Sequence, residues 1–270
     1  VAPDHASTKN VMQTFQEAEQ IFLQETGESL LALIQGDSRL SPKEQALKLQ
    51  DTRIAQPATL ALDIAIMRLL GQFGIEADMV AGHSLGEYSA AVAAGIFSFE
   101  DSLKAVSARG REMAAIQLDD SGKMASLACS ADKVEELLSQ IDGYAIGANK
   151  NCTSQTVVAG ASQAIDDIYE LAKSQGIRAT KLPVSHAFHT KIVAPASIPL
   201  RNILDKLTIS APKLPINTNI SGEWYPHDRD EILEILSTQL ANPVEWTTQI
   251  EKLYQAGARI FIECGPQKAL

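Results

Sequence analysis

The sequence predicts an α/β fold in which a small βαββαβ unit is inserted into a larger domain. The first observation is the pattern Gly82-x-Ser84-x-Gly86, which follows a short apolar run and precedes a run of small, helix-forming residues. It is typical of a sharp turn from a strand into a helix that presents a serine hydroxyl. The second observation is a change of rhythm after residue 122, where short strand and helix patterns alternate as far as residue 184.

The chain before that turn is predicted to be helical. Apolar residues recur at helical spacing over residues 7–36, and residues 41–44 form a helix-start signal with Pro42 just inside the cap. Residues 52–58 are expected to form an extended entry into a longer helix over residues 58–73. That helix is apolar nearly all round, so we expect it to be buried.

The turn around the serine is expected to be strained. We predict a buried strand over residues 77–81 and a helix over residues 88–94, with Ser84 between them. Glycine is expected on both sides of the serine because the strand and helix backbones approach each other too closely for side chains. A further helix, capped by residues 98–101, follows.

The change of rhythm after residue 122 predicts the inserted unit. Its strands are predicted over 123–129, 144–147, 156–159 and 177–184, and its helices over 131–141 and 163–174. The order βαββαβ is the ferredoxin-like pattern. We therefore expect a large subdomain formed by residues 1–121 and 185–270 and a small, ferredoxin-like subdomain formed by residues 122–184.

The last part of the chain is predicted to return to the large subdomain. Helices are predicted over 194–207, 229–240 and 246–256, a strand end over 215–219, and a closing strand over 259–263. The Ile-Phe-Ile run of the closing strand predicts that it is buried.

Composition and charge exclude several classes of function. The formal net charge of −10 argues against a nucleic acid or an anionic membrane as partner. No uninterrupted apolar run approaches the roughly 18 residues of a membrane span, and no signal peptide opens the chain. The three cysteines, Cys129, Cys152 and Cys264, lack metal-ligand spacing, so we expect no bound metal and the reduced thiols of a cytoplasmic protein.

A serine is a poor nucleophile until a base takes its proton, and histidine is the usual base. Five histidines are candidates: His5, His83, His186, His189 and His227. The first and the last lie in polar terminal or turn segments and are expected to be solvated. His83 lies in the turn itself, where its side chain would point away from Ser84. His186 and His189 follow the last strand of the inserted unit, in a segment that could also be an ordinary polar loop.

Five separated motifs occur in one order along the chain. They are Gly82-His83-Ser84-Leu85-Gly86-Glu87-Tyr88, Arg109-Gly110, His186-Ala187-Phe188-His189, Asn242-Pro243-Val244-x-Trp246 and Glu263-Cys264-Gly265-Pro266. Together they resemble the malonyl-CoA:acyl-carrier-protein transacylases and the acyltransferase domains of polyketide and fatty-acid synthases. The family fold is an α/β-hydrolase-like core with an inserted ferredoxin-like subdomain, which agrees with the pattern of predicted elements.

The resemblance implies a catalytic role for four residues. Ser84 resembles the nucleophile that becomes acylated, and His189 resembles its general base and acid. In this family a backbone carbonyl, not a carboxylate, orients the imidazole, and the matching position is Gln239. Leu85, directly after the serine, is expected to supply one backbone N–H of the oxyanion hole.

The resemblance also implies a site for the acyl group. Arg109, 25 positions after Ser84, resembles the arginine that pairs with the free carboxylate of a malonyl group. Gln56 matches a position near the acyl pocket. The motif that contains His186 and Phe188 resembles the version found in malonyl-selective domains, and the phenylalanine would fill the space that an α-methyl branch needs.

One part of the family pattern is missing from the N-terminal residues. The family begins with a core strand that ends in a Gly-Gln-Gly motif, which supplies the second oxyanion donor. No such motif occurs before Val11. We therefore expect either that these residues precede Val1 in the natural protein or that the chain is catalytically compromised.

The resemblance implies transfer of a malonyl group from malonyl-CoA, through an ester on Ser84, to the phosphopantetheine thiol of an acyl carrier protein. The setting would be polyketide or fatty-acid biosynthesis in the cytoplasm, with neighbouring synthase domains as further partners and no resident cofactor. Two alternatives stay open, namely an acyl-thioester hydrolase on the same scaffold and a non-catalytic carrier-protein docking module. Arg109 argues against the first, because a fatty-acyl hydrolase would gain nothing from a buried cation.

Overall fold

The structure, a computed structural model, describes residues 5–36 and 39–266. The first six helices precede any strand. They are α1 (His5–Thr26), α2 (Leu30–Gln35), α3 (Pro42–Leu49), α4 (Thr52–Gln72), α5 (Gly86–Ala93) and α6 (Phe99–Ala114). The helical prediction for this part of the chain is confirmed, and the helix-start signal at residues 41–44 is a capping box between Ser41 and Glu44.

Helix α4 begins earlier than predicted. The extended entry over residues 52–58 is wrong, because the Asp51 side chain accepts a hydrogen bond from the Arg53 N–H at 2.9 Å and caps the helix there. Pro57 lies inside the helix, where its missing N–H removes a single backbone hydrogen bond. The helix packs against α1 and α6, which buries Leu60 and Ile64.

By length and mean hydropathy, α4 is the one helix in residues 5–36 and 39–266 that could cross a membrane. Its apolar sequence is interrupted by Asp63, and the helix lies between α1 and α6 in the core cluster of the protein. Burial of this kind is the usual setting of a core helix that is apolar nearly all round.

The inserted unit forms a four-stranded antiparallel sheet. Its elements are β1 (Lys123–Leu127), α7 (Ala131–Leu138), β2 (Ala145–Cys152), β3 (Gln155–Gly160), α8 (Ser162–Ser174) and β4 (Ala179–Lys181). The strand order is β2-β3-β1-β4, and the predicted order βαββαβ is confirmed. Strand β2 is longer than predicted and β4 is shorter. The division of the chain at residues 122 and 184 stays a prediction.

The two faces of this small sheet have different neighbours. One face packs against α7 and α8, with Leu127, Val158 and Ile165 in its core. The other face, through Met124 and its neighbours, packs against the segment around Ala187. The small sheet therefore supports the segment that carries His186 and His189.

The C-terminal part consists of two short 3₁₀ helices and three α-helices. They are 3₁₀ Lys191–Ala196, α9 (Ser197–Leu204), α10 (Arg229–Thr238), 3₁₀ Gln239–Ala241 and α11 (Trp246–Gln255). The edge of β2 pairs with the segment between the last two of them, since the Val244 N–H donates to the Ala148 carbonyl at 2.8 Å. This contact fixes the segment that follows Gln239–Ala241.

The strands predicted for the large subdomain are largely absent from the described residues. Val80 forms a single parallel bridge to Ile216, and the predicted closing strand over residues 259–263 is wrong because Ile260 is 83% exposed and no strand is formed there. A strand needs a neighbour for its backbone N–H and C=O groups. Within residues 5–36 and 39–266, no regular strand pairs with either segment.

Candidate active site

Ser84 lies in a strained turn, as predicted. Its φ of 53° is in the left-handed region, which a residue with a side chain seldom adopts. A Cβ on Gly82 would come within 2.0 Å of the Gly86 carbonyl oxygen, so the glycine at position 82 is required by crowding. A Cβ on Gly86 would meet no described atom within 4 Å, so the steric reason predicted for the second glycine is wrong.

The turn brings Ser84 against His189. The Ser84 Oγ and the His189 Nε2 are 2.7 Å apart, although the two residues are 105 positions apart in the chain. His189 also has a positive φ, 60°, and its backbone N–H donates to the Leu240 carbonyl at 2.9 Å. The histidine is buried, with 3% of its surface exposed.

Two backbone carbonyls face the other nitrogen of the imidazole. The His189 Nδ1 lies 3.0 Å from the Asn242 carbonyl oxygen and 3.3 Å from the Gln239 carbonyl oxygen. Because a carbonyl only accepts hydrogen bonds, Nδ1 carries the proton, and Nε2 is free to accept the serine proton. Sequence reasoning named Gln239 and missed Asn242. The signal was the Asn-Pro pair after Gln239–Ala241, which ends the 3₁₀ turn with Asn242 in an extended conformation.

Burial, the charge of Arg109 and the neighbouring His83 lower the pKa of His189 to about 3. Burial is the largest cause, because it disfavours the imidazolium. The imidazole is therefore neutral across the physiological range and available as a base.

Arg109 is buried in the same site. From α6, its Nη1 donates to the Gln56 Oε1 at 2.8 Å and its Nη2 donates to the Gln239 Oε1 at 3.0 Å. Burial lowers the pKa of this guanidinium, while the neighbouring Tyr88 and Glu87 act in the opposite direction. Both terminal nitrogens of the guanidinium thus donate to neutral amide oxygens. A carboxylate can take the place of these oxygens or accept hydrogen bonds beside them.

Gly110 explains how Gln56 reaches the arginine. A Cβ at this position would come within 2.5 Å of the Thr52 carbonyl oxygen at the start of α4. Without that side chain the two helices approach closely, and the amide of Gln56 faces Arg109. The same amide donates to the Met113 Sδ at 3.5 Å.

Gln239 contacts both the serine and the arginine through its side chain. Its Nε2 donates to the Ser84 carbonyl oxygen at 2.5 Å, and its Oε1 accepts from Arg109. Its backbone carbonyl is one of the two that face His189. The sequence pointed to that carbonyl alone, because nothing in a linear pattern shows where a buried glutamine side chain is directed.

His186 and Phe188, of the same motif as His189, contact each other beside the site. Phe188 is half-buried, and its ring centroid lies 6.0 Å from that of His186. The His186 Nε2 lies 3.4 Å from the Ile116 carbonyl oxygen, and its Nδ1 lies 3.0 Å from the Ser185 Oγ. In the described residues neither side chain is hydrogen-bonded to Ser84.

Two residues beside the serine have distinct surroundings. His83 is directed elsewhere, since its Nε2 lies 2.8 Å from the Asn151 Oδ1 and its ring packs edge-on against Trp246. The Leu85 N–H has no hydrogen-bond partner within the described part of the chain, as an oxyanion donor requires in the free protein.

The two remaining candidate histidines are His227 and His5. His227 is exposed, and the side chain of His5 lies outside the described residues.

Sequence reasoning missed a polar cluster beneath the turn. Asn219 lies behind the serine, and its backbone N–H donates to the Glu87 Oε1 at 3.0 Å, which also accepts from the Tyr225 hydroxyl at 2.7 Å. Burial raises the pKa of Glu87 to about 7, against the effect of these hydrogen bonds. The signal was a pair of asparagines at the end of the predicted strand over residues 215–219, where apolar residues would otherwise be expected.

No group of three or more His, Cys, Asp or Glu side chains is placed to hold a metal ion in residues 5–36 and 39–266. In the same residues Cys129, Cys152 and Cys264 are free thiols.

The chain matches the family model for the acyl transferase domain over residues 6–270. The malonyl CoA-acyl carrier protein transacylase of Bacillus subtilis (strain 168) is 38% identical over 80% of this chain and 69% of that protein. The transacylase of Escherichia coli (strain K12) is 35% identical over 86% of this chain and 76% of that protein. The PKS-NRPS hybrid synthetase acdB of Aspergillus candidus is 34% identical over 83% of this chain, which spans 9% of the synthetase.

Solved structures give the same picture of the fold. The crystal structure of FabD from Acinetobacter baumannii superposes with a TM-score of 0.84 at 32% identity, over 96% of this chain and 80% of that one. The acyltransferase domain from the second module of the salinomycin polyketide synthase superposes with a TM-score of 0.80 at 31% identity, over 95% of this chain and 57% of that one. The predicted α/β fold class is confirmed by these neighbours.

Proposed function

The chain belongs to the acyl transferase domain family, and we propose that it moves a malonyl group from malonyl-CoA to the phosphopantetheine thiol of an acyl carrier protein. The observation that carries this proposal is that one site contains both a serine–histidine pair and a buried arginine. The Ser84 Oγ lies 2.7 Å from the His189 Nε2, and the fork of Arg109 is linked to the same serine through Gln239.

In the first half-reaction, His189 acts on Ser84. The neutral Nε2 accepts the hydroxyl proton while Oγ attacks the thioester carbonyl of malonyl-CoA. The Leu85 N–H stabilises the oxyanion that forms. The C–S bond then breaks, the departing coenzyme A sulfur takes the proton from Nε2, and a malonyl ester remains on Ser84.

In the second half-reaction, the thiol of the carrier protein replaces coenzyme A. Its proton goes to the His189 Nε2 as its sulfur attacks the ester carbonyl. The C–O bond to Ser84 breaks, the serine oxygen takes the proton back, and the malonyl thioester leaves on the carrier. The steps are the reverse of acylation with a different thiol, so one base serves both.

The support of His189 favours a thiol over water as acceptor. Carbonyl oxygens hold the imidazole, so its conjugate acid lacks the stabilisation that a buried carboxylate would provide. Of the two acceptors, a thiol with a pKa near 8.5 gives up its proton to this base far more readily than water does. This argues against the hydrolase alternative, and the named relatives are transacylases and synthases.

Arg109 supplies selectivity for a malonyl group. Its guanidinium is buried among neutral amides, and the carboxylate of malonyl would bring the missing negative charge. A docking module without catalysis would need neither this buried cation nor the contact between serine and histidine. Phe188 is proposed to fill the space beside the α-carbon of the acyl group, and His186 to support it from the same segment.

Coenzyme A and phosphopantetheine thioesters are substrates in this proposal, so no resident cofactor is required. The relatives include both transacylases and much longer synthases, and neighbouring synthase domains are proposed partners on that ground. Cytoplasmic location, reduced thiols, and the absence of nucleic-acid and membrane partners stay predictions.

Intact mass spectrometry after incubation with malonyl-CoA tests the proposal. We expect one malonyl adduct on the wild-type protein and none on Ser84→Ala. The matched control is Ser89→Ala, five positions further on, where the hydroxyl donates to Asp63 instead. This variant should keep the adduct. A label that survives in Ser84→Ala would contradict the assignment of the nucleophile.

A further inference from the structure

We propose that Asn219 is a positioning residue that holds the backbone of the nucleophile turn in its reactive geometry. The inference rests on the proposed function in one respect, that Ser84 is the nucleophile. It assigns a role to a residue that touches neither the acyl group nor the histidine.

The side chain of Asn219 spans the turn. Its Oδ1 accepts a hydrogen bond from the Ser84 backbone N–H at 2.6 Å, and its Nδ2 donates to the Gly82 carbonyl oxygen at 2.6 Å. A carboxamide offers the same donor and acceptor as a peptide group. Asn219 therefore does for the turn what a neighbouring strand would do for a regular backbone.

The turn needs such a partner because backbone pairing, a single bridge, ends just before it. Val80 makes the bridge to Ile216, and beyond that point the two segments no longer pair. The left-handed φ of Ser84 is unfavourable for a residue with a Cβ and persists only where the surroundings determine it. The two bonds to Asn219 lie on either side of that strained residue.

Asn219 is itself held firmly. It is fully buried, its backbone N–H donates to Glu87, and its carbonyl accepts from the Glu245 N–H at 2.8 Å. The Tyr225 hydroxyl fixes the same carboxyl oxygen of Glu87. We call the two bonds from Asn219 to Ser84 and Gly82 the clamp on the turn. Through Asn219, this clamp connects to α5 on one side and to the start of α11 on the other.

This arrangement decides which backbone N–H groups can act on an oxyanion. The Ser84 N–H is used by Asn219, whereas the Leu85 N–H has no partner in the described residues. Losing the clamp would free the wrong N–H and let Oγ move relative to His189. A displacement of about 1 Å at a reacting atom can slow a reaction by about 10²-fold.

Asn217 provides a matched control. It is also fully buried, lies two residues earlier on the same segment, and its Nδ2 donates to the Gly222 carbonyl at 3.0 Å, away from the turn. The melting temperatures of Asn219→Ala and Asn217→Ala should be measured beside the rates, because the first side chain makes two hydrogen bonds and the second makes one. Only the first variant removes contacts to the backbone on either side of Ser84.

Single-turnover acylation by malonyl-CoA and labelling by a fluorophosphonate, which reacts with activated serines, should be measured for both variants. We expect both rates to fall about 10²-fold in Asn219→Ala and to stay near the wild-type value in Asn217→Ala. Wild-type rates in Asn219→Ala, or equal slowing in both variants, would overturn the proposal. If the wild type reacts with the fluorophosphonate but not with malonyl-CoA, the proposed function fails and the asparagine comparison still stands.

Asn219→Asp gives a readout that a merely structural role would not move. A charged aspartate accepts from the Ser84 N–H but cannot donate to the Gly82 carbonyl, whereas a protonated one can do both. The labelling rate relative to wild type should therefore rise as the pH falls from about 8 to about 5. Taking the ratio to wild type reduces the contribution of titrating groups that both proteins contain, such as Glu87 and Tyr225. A ratio that does not change with pH would contradict the clamp.

Discussion

The two halves of the candidate site differ in what their hydrogen bonds hold. The nucleophile network, formed by Ser84, His189 and Asn219 with the facing carbonyls, fixes the backbone of two residues that both have positive φ. The arginine network, formed by Arg109 and the amides of Gln56 and Gln239, fixes a single charged side chain. We propose that the first network sets reactivity toward any acyl donor and that the second sets which donor is preferred.

The comparison is the reason we expect reactivity and donor preference to change separately on mutation. Among residues 5–36 and 39–266, the non-glycine residues with positive φ are Ser84 and His189, so the strain lies in the nucleophile network, where it places Oγ beside the imidazole. In the arginine network, Gln56 and Arg109 lie on α4 and α6, whose backbone is regular at both residues. Gln239 is the point of contact, because its carboxamide bonds to the Ser84 carbonyl and to Arg109.

The largest effect is expected from His189→Ala. Without the base, acylation by malonyl-CoA and acetyl-CoA should slow equally, by about 10⁴-fold, since both donors use the same proton transfer. Single-turnover kinetics with both thioesters checks this. A variant that kept one donor and lost the other would break the separation of the two networks.

Arg109→Ala should affect one donor. We expect the acylation rate with malonyl-CoA to fall about 10²-fold, because the carboxylate loses its buried partner, while the rate with acetyl-CoA is kept or rises. Arg111→Ala is the control, because this arginine is exposed on the same helix. Equal losses for the two donors would show that Arg109 has a structural role.

Phe188→Ser should sharpen the comparison at the acyl group itself. Opening the space beside the α-carbon should raise kcat/KM for methylmalonyl-CoA relative to malonyl-CoA by about tenfold, as expected for one methyl group. Phe188→Leu keeps most of the volume and should move the ratio less. An unchanged ratio in both variants would remove Phe188 from the specificity argument.

The smallest expected effect is a shift in the pH dependence of kcat/KM in Arg109→Ala. The Arg109 charge is one cause of the lowered pKa of His189, so removing the charge raises that pKa. The neutral base is then lost at a higher pH on acidification, and the acid limb of kcat/KM should move upward in Arg109→Ala. The profile should be measured with acetyl-CoA, which does not use the arginine, within the pH range where circular dichroism shows a folded protein. A limb that stays in place would contradict the electrostatic link.

The small sheet could be predicted from the sequence because its strands pair with one another. Each of β1 to β4 finds its neighbours within residues 123–181, so local pattern and final structure agree. The segment 259–263 has an equally strong strand pattern but no regular strand beside it among residues 5–36 and 39–266, and it stays exposed. The early start of α4 was missed because a capping aspartate outweighed the expectation drawn from Pro57.

In the site, motif spacing named the residues that the structure brings together, including Ser84, His189 and Arg109. The supporting amides could not be found in that way. The side chains of Asn219 and Gln239 act on backbone groups at distances of 135 and 155 positions along the chain. Such contacts depend on tertiary packing and leave no periodic pattern in the sequence.

The most direct test of the link between the networks is single-turnover acylation of Gln239→Met by malonyl-CoA and acetyl-CoA. The substitution keeps the backbone carbonyl that faces His189 and removes the bonds to the Ser84 carbonyl and to Arg109. We predict that both donors react more slowly and that malonyl-CoA loses more than acetyl-CoA. Equal losses would show that the side chain serves the serine alone, and a loss for malonyl-CoA alone would show that it serves only the arginine; either result contradicts a shared residue.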